Sequence, residues 1–567
     1  MQRILLTYLF ITLGVSTYAQ QLSTQDEQFA DSLMNANYKP DKPGAVLLIA
    51  KNGLPVFRKG YGLANLEFKV NNKPEYIFRI GSMSKQFIAV CILKLAQEGK
   101  LNLHYDITKY LTAYNTHGRH ITIEHLLTHT SGIIDFFDKK EFAAKAMNDQ
   151  TKEETMNFFM NDSLLFEPGT DYSYSNSGYT LAGFIIEKVS GMALNDYVQQ
   201  NIFNPLEMLH TSLGNQDSSL VNAVNDYEHT GNDRFKPAGQ GSWSWIYVAG
   251  GIRTNVDDLL KWDNALYTEK IIKKEWLEKA WKPFELRNGQ TTYYGFGWCN
   301  SSFRGMQFIT HSGMVGGFIS NGIRIPSKQI YIVILSNIYP PWVPEISTSI
   351  ALHLTGHALT LPRSTSMDKK KLNNYVGVYA LKRPGSSIPV DSIHVQDYQY
   401  FVIKNDTLCT EYMPDGAKQP LLNVSKDVFA PSYGGQYYQF NRNKKGNITS
   451  VELYSEPVQY GPRLLKIKTG RPVPKEKQAI TLDLKKLELL KGKYDFDGGN
   501  IAIVTVAGNK LFIRMPGQET EEIFAENETN FFSKSTGFTF KFKKDEDRVS
   551  GLVVNLGGKL WESKKAE

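Results

Sequence analysis

The sequence is poor in what several protein classes require. Only three cysteines, Cys91, Cys299 and Cys409, are spread over 567 residues. Exported domains stapled by disulfides carry a denser, even set, and no pair here has metal-ligand spacing. The three read as buried small hydrophobes, with one bridge among them left open. A dense Lys/Arg stripe with interleaved aromatics is also missing. The 64 basic and 57 acidic residues leave a formal charge of only +7, which argues against nucleic acid as a partner. Short runs such as Lys369-Lys370-Lys371 and Lys543-Lys544 read as solvated loops. Beyond the N-terminus, no segment has the ~20 continuous apolar residues of a membrane-spanning helix. The Gly-x-Ser-x-Gly elbow of α/β-hydrolases is absent, and so is His-Glu-x-x-His. His125 and His129 have helical spacing but no Glu, so capping or packing suits them better than a metal. No cofactor is expected.

What is present supports packed cores, with 41% hydrophobic and 12% aromatic residues. The length suits about three or four units, or one large unit with appendages. Met1-Gln2-Arg3 supplies a positive charge, Ile4 to Val15 is nearly all apolar, and Thr17-Tyr18-Ala19 ends small. This pattern predicts a signal peptide over residues 1–19, hence a periplasmic or extracellular protein with no stable span after cleavage.

Along the chain, two apolar runs flank Asn52-Gly53, a hairpin signal. Residues 82–98 predict a helix apolar nearly all round, which belongs in the centre of a large domain. Helices are also predicted over 119–131, 178–200 and 255–267, the last capped by Asn255 or Thr254. Met306–Thr310, Phe318–Ile325 and Gln329–Leu335 predict an antiparallel meander, followed by a helix over 344–355 opened by Pro344. A polar linker spans 357–370. Beyond it, the stretch from Leu372 to Tyr379 matches that from Leu487 to Tyr494, with Gly377 answering Gly492 at an offset of 115 residues. This predicts two similar β-rich modules, 371–470 and 485–567, with strands such as Ile501–Val506 and Lys510–Arg514 and turns at Gly498-Gly499 and Gly557-Gly558.

Three clusters carry chemistry. In Arg79-Ile80-Gly81-Ser82-Met83-Ser84-Lys85, Ser82 precedes the central helix, where unpaired N–H groups favour negative charge. Lys85 shares its helical face, and a desolvated amine there would accept the Ser82 proton. Alone, the motif reads as an N-cap Ser before a surface Lys. In Tyr172-Ser173-Tyr174-Ser175-Asn176, a phenol with its pKa lowered by an ammonium could shuttle a proton, and an Asn amide could hold a substrate carbonyl or a Lys. Thr310-His311-Ser312-Gly313-Met314 lies on a predicted strand edge able to pair with a peptide; alone, His311 reads as a satisfied core residue.

Together and in this order, Ser-x-x-Lys, Tyr-x-Asn and His-x-Gly resemble the penicillin-recognising serine hydrolases, especially the class C β-lactamase group with its DD-peptidases, D-aminopeptidases and esterases. Further matches are His125-Leu-Leu-Thr-His129-Thr-Ser-Gly132, Phe166-Glu-Pro-Gly-Thr170, Ala249-Gly-Gly-Ile252 and Tyr294-Gly-Phe-Gly-Trp298. The likeness covers about residues 25–356, and the C-terminal modules resemble barrel-like appendages of such enzymes. It implies an α/β (α+β) fold, with an antiparallel sheet flanked by helices beside a helical region. It implies Ser82 as acylated nucleophile, Lys85 and Tyr174 sharing acid/base work, and Asn176, His311, Ser312 and Gly313 at the substrate. The backbone N–H groups of Ser82 and Met314 would form the oxyanion hole. His311 would stand for the Lys of Lys-Thr-Gly and, being only partly charged, would favour a D-amino-acid peptidase, carboxypeptidase or esterase over a true β-lactamase. The substrates would be small peptides, esters or β-lactams, including cell-wall peptides. A penicillin-binding or sensing module with little turnover is the alternative. Glu167, in a Pro-Gly turn, reads as structural. The run Trp243-Ser-Trp245-Ile-Tyr247 is expected to line the acyl pocket or pack in the core. Oligomeric state is left open.

Overall fold

The computed structural model describes residues 22–566 apart from residues 140, 215–221, 232–233, 240, 340–342, 358–362, 366, 382–397, 412–418, 432–434, 457–462, 474–476, 497–499, 517–519, 535–537, 546–547 and 557–558. The expected signal peptide and the turns at Gly498-Gly499 and Gly557-Gly558 therefore lie outside the described residues.

Six antiparallel strands form the central sheet: β1 (Ala45–Lys51), β2 (Leu54–Tyr61), β3 (Cys299–Phe303), β4 (Met306–Val315), β5 (Phe318–Ile325) and β6 (Ile330–Ser336). Their spatial order is β3-β4-β5-β6-β1-β2. Asn52 and Gly53 both take positive φ, 53° and 77°, so a tight primed turn closes the first hairpin as its sequence signal predicts. β1 then pairs with β6, setting Ala45 against Ser336.

Successive side chains of a strand point to opposite faces, and here both faces are buried. Leu47, Ile49, Ile332 and Ile334 enter one core, beneath α1 (Thr24–Asn37) and the helix Val343–Leu354 that follows the sheet. Val46, Leu48, Val333 and Leu335 enter the other, which continues into the helical region. At its centre is α2 (Lys85–Gln97), buried without interruption from Lys85 to Leu93.

Three predicted helices are corrected at their ends. The segment 119–131 holds only α3 (Ile123–Leu127), capped by Thr122, whose Oγ1 accepts from His125 N while its N–H donates to His125 Nδ1. The helix cannot continue, because His129 takes φ 60°. The segment 178–200 breaks after α4 (Asn176–Ser190), where Gly191 closes the helix in a left-handed conformation with its N–H on Glu187 O. The chain resumes as α5 (Leu194–Val198) and a wider turn to Phe203. After α6 (Trp243–Gly250), α7 (Val256–Ala265) is capped by Asn255, whose Oδ1 accepts from Asp258 N; Thr254 belongs to the preceding strand.

The C-terminal third is built on β-strands, as the alternating pattern predicts, with one short helix at Leu484–Leu490. Nine strands between Gly377 and Lys468 form one sheet, and eight between Gly492 and Lys565 close a barrel. The sequence repeat has a physical basis. Tyr379 Oη donates to Tyr375 O (2.9 Å) and Tyr494 Oη to Leu490 O (2.6 Å), equivalent positions in the two repeats. Lys468 and Lys565 each donate to the carbonyl one residue earlier, Asn374 O and Leu489 O, both at 3.0 Å. In each unit a buried tyrosine thus ties the first strand to the turn before it. Tyr379→Phe and Tyr494→Phe should each cost about 1–2 kcal/mol, since a buried carbonyl loses its donor. Urea unfolding of the full chain checks this; no loss at either position would make the matched tyrosines incidental.

Candidate active site

Lys85 opens α2 and is fully buried. Its Nζ contacts three atoms: Asn176 Oδ1 at 2.8 Å, Ala249 O at 2.9 Å and Ser82 Oγ at 3.0 Å. Two of these are acceptors only, so two amine hydrogens are committed to them. The third direction faces the Ser82 hydroxyl. Burial pulls the Lys85 amine down to about 7, against an upward pull from Asp135. At neutral pH a substantial fraction is uncharged, with its lone pair on Ser82.

Ser82 sits in a single tight turn, Gly81–Ser84, just before α2. The turn lies against β4 so closely that only glycine fits on either side. A Cβ on Gly81 would lie 2.6 Å from Met314 N, and one on Gly313 would lie 1.9 Å from Ile80 O. Ser320 Oγ donates to the same Ile80 carbonyl at 2.8 Å. The structure therefore brings Ser82 and Met314 together, as the sequence motifs require. Ser84 Oγ accepts from Ile252 N (3.0 Å) and fixes the Ala249-Gly-Gly-Ile252 turn that supplies the Ala249 carbonyl.

Asn176 begins α4. Its N–H and Nδ2 both donate to Asp135 Oδ2, at 2.9 and 2.7 Å. This turns its Oδ1 toward Lys85. Asp135 is buried and, despite those donors, desolvation raises its carboxyl to about 6. Sequence reasoning missed Asp135; the available signal was an acid embedded in the apolar run from Ile133 to Phe137, where unpaired carboxylates rarely survive.

His129, expected to cap or to pack, has a larger structural part. Its Nδ1 accepts from Ser175 N (3.0 Å), and its ring lies 4.2 Å from that of Tyr174 and 4.6 Å from that of Tyr294. Burial keeps it neutral, well below the ordinary histidine range. The Tyr174 hydroxyl is enclosed beside Ser82. Burial pushes this phenol well above its ordinary value, with Ser82 pulling the other way. This reverses the expectation of a phenol lowered by an ammonium: desolvation is the largest cause, although Lys85 Nζ lies over the ring, 4.9 Å from its centroid.

His311 is 4% exposed, with both ring nitrogens engaged. Nδ1 meets Ser312 O, an acceptor, at 2.5 Å, so it carries the proton. Nε2 accepts from Tyr294 Oη at 2.8 Å. Burial, with nearby Lys85, lowers His311 to about 3, so it is neutral rather than partly charged at pH 7. The predicted strand edge is also refined. β4 is an inner strand as far as Thr310, which pairs with Cys299, while, among the described residues, 311–315 pair with β5 alone. β3 stops there because the chain turns back through Tyr294-Gly-Phe-Gly-Trp298, with Gly295 N–H on Trp298 O.

Ser82, Tyr174, Asn176, His311, Ser312, Gly313 and Met314 all border one cavity of ≈ 700 Å³, with Lys85 just beneath. Phe137, Phe142, Trp245 and Ile246 form an apolar wall. Trp243 does not line the cavity: Arg79 stacks on its ring, 4.1 Å from the centroid. Glu167 pairs with Arg119 at the surface (2.8 Å), apart from the cavity. Cys91, Cys299 and Cys409 are buried thiols, none in a disulfide. Among the described residues no cluster of three metal-ligating side chains occurs.

Because both imidazole nitrogens are spoken for, 15N-labelled histidine spectra should show His311 neutral, protonated at Nδ1, from pH 8 down to 5. A resonance of His311 titrating near 6.5 would contradict this arrangement.

Comparison with known proteins agrees with the geometry. The family profile described as Beta-lactamase matches residues 27–356. The chain is 30% identical over 363 residues to penicillin-binding protein 4* of Bacillus subtilis, covering 59% of this chain and 79% of that one. It is 29% identical over 347 residues to protein Flp of Staphylococcus aureus, covering 59% and 68%. The structure of an octameric penicillin-binding protein homologue from Pyrococcus abyssi aligns with a TM-score of 0.55 at 26% identity, covering 78% of this chain and 99% of that one. With more than half its length matched and the Ser-x-x-Lys geometry in place, this chain belongs to the Beta-lactamase family of serine hydrolases.

Proposed function

We propose that this is an exported acyl hydrolase working through an acyl-enzyme at Ser82, as a D-amino-acid peptidase or carboxypeptidase, or as an esterase. The observation that carries this reading is the Lys85 amine, with two hydrogens committed to acceptors and its remaining direction on Ser82 Oγ. In the uncharged form Lys85 takes the Ser82 proton as Oγ attacks the substrate carbonyl carbon. The oxygen that becomes negative faces the N–H groups of Ser82 and Met314. Tyr174, a neutral phenol, gives its proton to the leaving nitrogen or oxygen, and the proton held by Lys85 restores it. Water then hydrolyses the ester on Ser82. Asn176 steers substrate and amine together, and the one-sided edge of β4 at residues 311–315 offers backbone groups to an extended peptide.

A neutral His311 makes a poor clamp for a carboxylate on the leaving side, which supports D-amino-acid peptidase or esterase chemistry over a carboxypeptidase or a dedicated β-lactamase. Export is supported by the apolar run from Ile4 to Val15. The two β-rich modules, 371–470 and 485–567 beyond a linker at 357–370, are read as units appended to the hydrolase at 25–356, with oligomeric state open.

The test is intact-protein mass spectrometry of the wild type and Ser82→Ala, each with a fluorescent penicillin and a p-nitrophenyl ester. A Ser82-dependent adduct or turnover is expected. A long-lived penicillin adduct with fast ester turnover separates this reading from a β-lactamase, an adduct with no turnover indicates a binding module, and identical inert behaviour of both proteins removes the reading.

The pH dependence follows from Lys85. Its amine is lowered to about 7, so the base form exists above that pH and is lost below it. Accordingly kcat/KM should rise through pH 7 to a plateau, and Lys85→Ala should lose about 10²–10⁴-fold. The Asp135 charge raises Lys85, so Asp135→Asn should shift the acidic limb to lower pH. A profile flat from pH 5 to 9 rules out Lys85 as the base.

A further inference from the structure

Two aromatic clusters border the cavity. One surrounds Tyr174: the His129 ring lies 4.2 Å from it and the Tyr294 ring 6.4 Å, and Tyr294 in turn meets His311. The other centres on Trp245, with Phe158, Phe142 and Phe136 at 5.1, 5.3 and 5.4 Å. Phe137 packs on Phe142 at 4.7 Å. Among the described residues no ring contact joins the two clusters. They also differ in what they offer a ligand. The Tyr174 side is polar and closed in, with His311 and Tyr294 only 4% and 1% exposed. The Trp245 side faces the cavity through Phe137, Phe142 and Ile246, side chains of carbon and hydrogen alone. It is also the more open side, since Phe137 is 36% exposed.

This wall is fastened from behind. Trp245 Nε1 donates to Lys145 O at 3.1 Å, Ser242 N to Ala146 O at 2.6 Å and Gln150 N to Ser244 Oγ at 2.9 Å. The start of α6 is thereby tied to the segment that carries Phe142. Phe137 has its own anchor: its N–H donates to Asp135 Oδ1 at 3.0 Å, while Asp135 Oδ2 holds the Asn176 amide. The carboxylate that aims Asn176 at Lys85 therefore also anchors one end of the wall. A preformed apolar surface of this kind binds by removing apolar ligand surface from water. With Tyr174 as proton donor to the leaving group, the leaving group occupies the polar side, and the acyl part has the Trp245 side.

We propose that Phe137, Phe142 and Ile246 form an apolar subsite for the acyl part of the substrate, so that the preferred substrates are esters or amides of apolar acids, with an aryl or medium-length alkyl acyl group. This rests on the acyl-hydrolase reading above. It extends that reading by naming the half of the substrate from which binding energy comes.

The test uses two isomeric thioesters, S-ethyl hexanethioate and S-hexyl ethanethioate, with release of the thiol as the readout. They hold the same atoms and differ in which side of the scissile bond carries the longer chain. The wild type should hydrolyse the hexanoyl isomer about 10- to 100-fold faster in kcat/KM, the effect of several buried methylenes at about fourfold each. It should prefer p-nitrophenyl hexanoate over the acetate by a similar factor. Each variant is judged by the ratio of its two thioester rates, so a general loss of activity cancels. Phe137→Ala and Ile246→Ala should each cut the ratio by about 3- to 10-fold, and Phe137→Leu should keep most of it. A wild-type ratio near one, or a preference for the hexyl leaving group, overturns the subsite whatever the variants do. A ratio unchanged in both alanine variants also overturns it. A wild type inert on the thioesters and the p-nitrophenyl esters alike, with no adduct at Ser82, instead removes the hydrolase reading on which the subsite rests.

Discussion

The arrangement depends on one amine held without water. An ammonium as enclosed as that of Lys85 is costly to keep charged, and proteins usually resolve such a cost by neutralising the group. Here its three contacts come from three separate segments: the turn before α2, the start of α4 and the end of α6. Each of those segments is then fixed by something else. Asp135 orients the Asn176 amide, Ser84 holds the turn after Ala249, and Gly81 lets the Ser82 turn press on β4. Much of the local architecture serves to present acceptors to two of the amine's hydrogens and the serine to its lone pair.

The same desolvation sets the rest of the site. Two histidines, three tyrosines and a lysine are packed close together, and burial drives each toward its uncharged form. Such a neutral interior has low screening, so the few charges at its border act at longer range than surface charges do. Tautomers become structural information. Nδ1 of His129 is an acceptor while Nδ1 of His311 is a donor, and each choice is dictated by the backbone atom it meets.

Much of this was legible in the chain. The Asn52-Gly53 hairpin, the all-round apolar α2, the β4–β6 meander and the two β-rich units follow from period and turn chemistry, and the three motifs converge on one cavity. What escaped has identifiable causes. Gly191 and His129 end helices through left-handed backbone that hydrophobic period does not register. Asp135 acts through Asn176 and belongs to no motif of its own. The neutrality of His311 depends on burial among groups distant in sequence, with Lys85 nearby and Tyr294 on its Nε2, and the raised Tyr174 depends on enclosure rather than on any neighbour in sequence. The repeat at an offset of 115 residues announced two related modules, but their closure differs, one a nine-stranded sheet and the other a barrel.

The early halt of β3 has a consequence for the life of the protein in solution. A bare strand edge invites the edge of another molecule, and long flat edges are aggregation hazards. Here the bare stretch is five residues long and borders the cavity. At one end the Tyr294–Trp298 turn stands across it, and at the other Gly316 and Gly317 lead the chain away. Along these five residues a second sheet has little length on which to zip, whereas a single extended ligand has enough. The same short gap that leaves room for a guest is thus a poor template for another sheet.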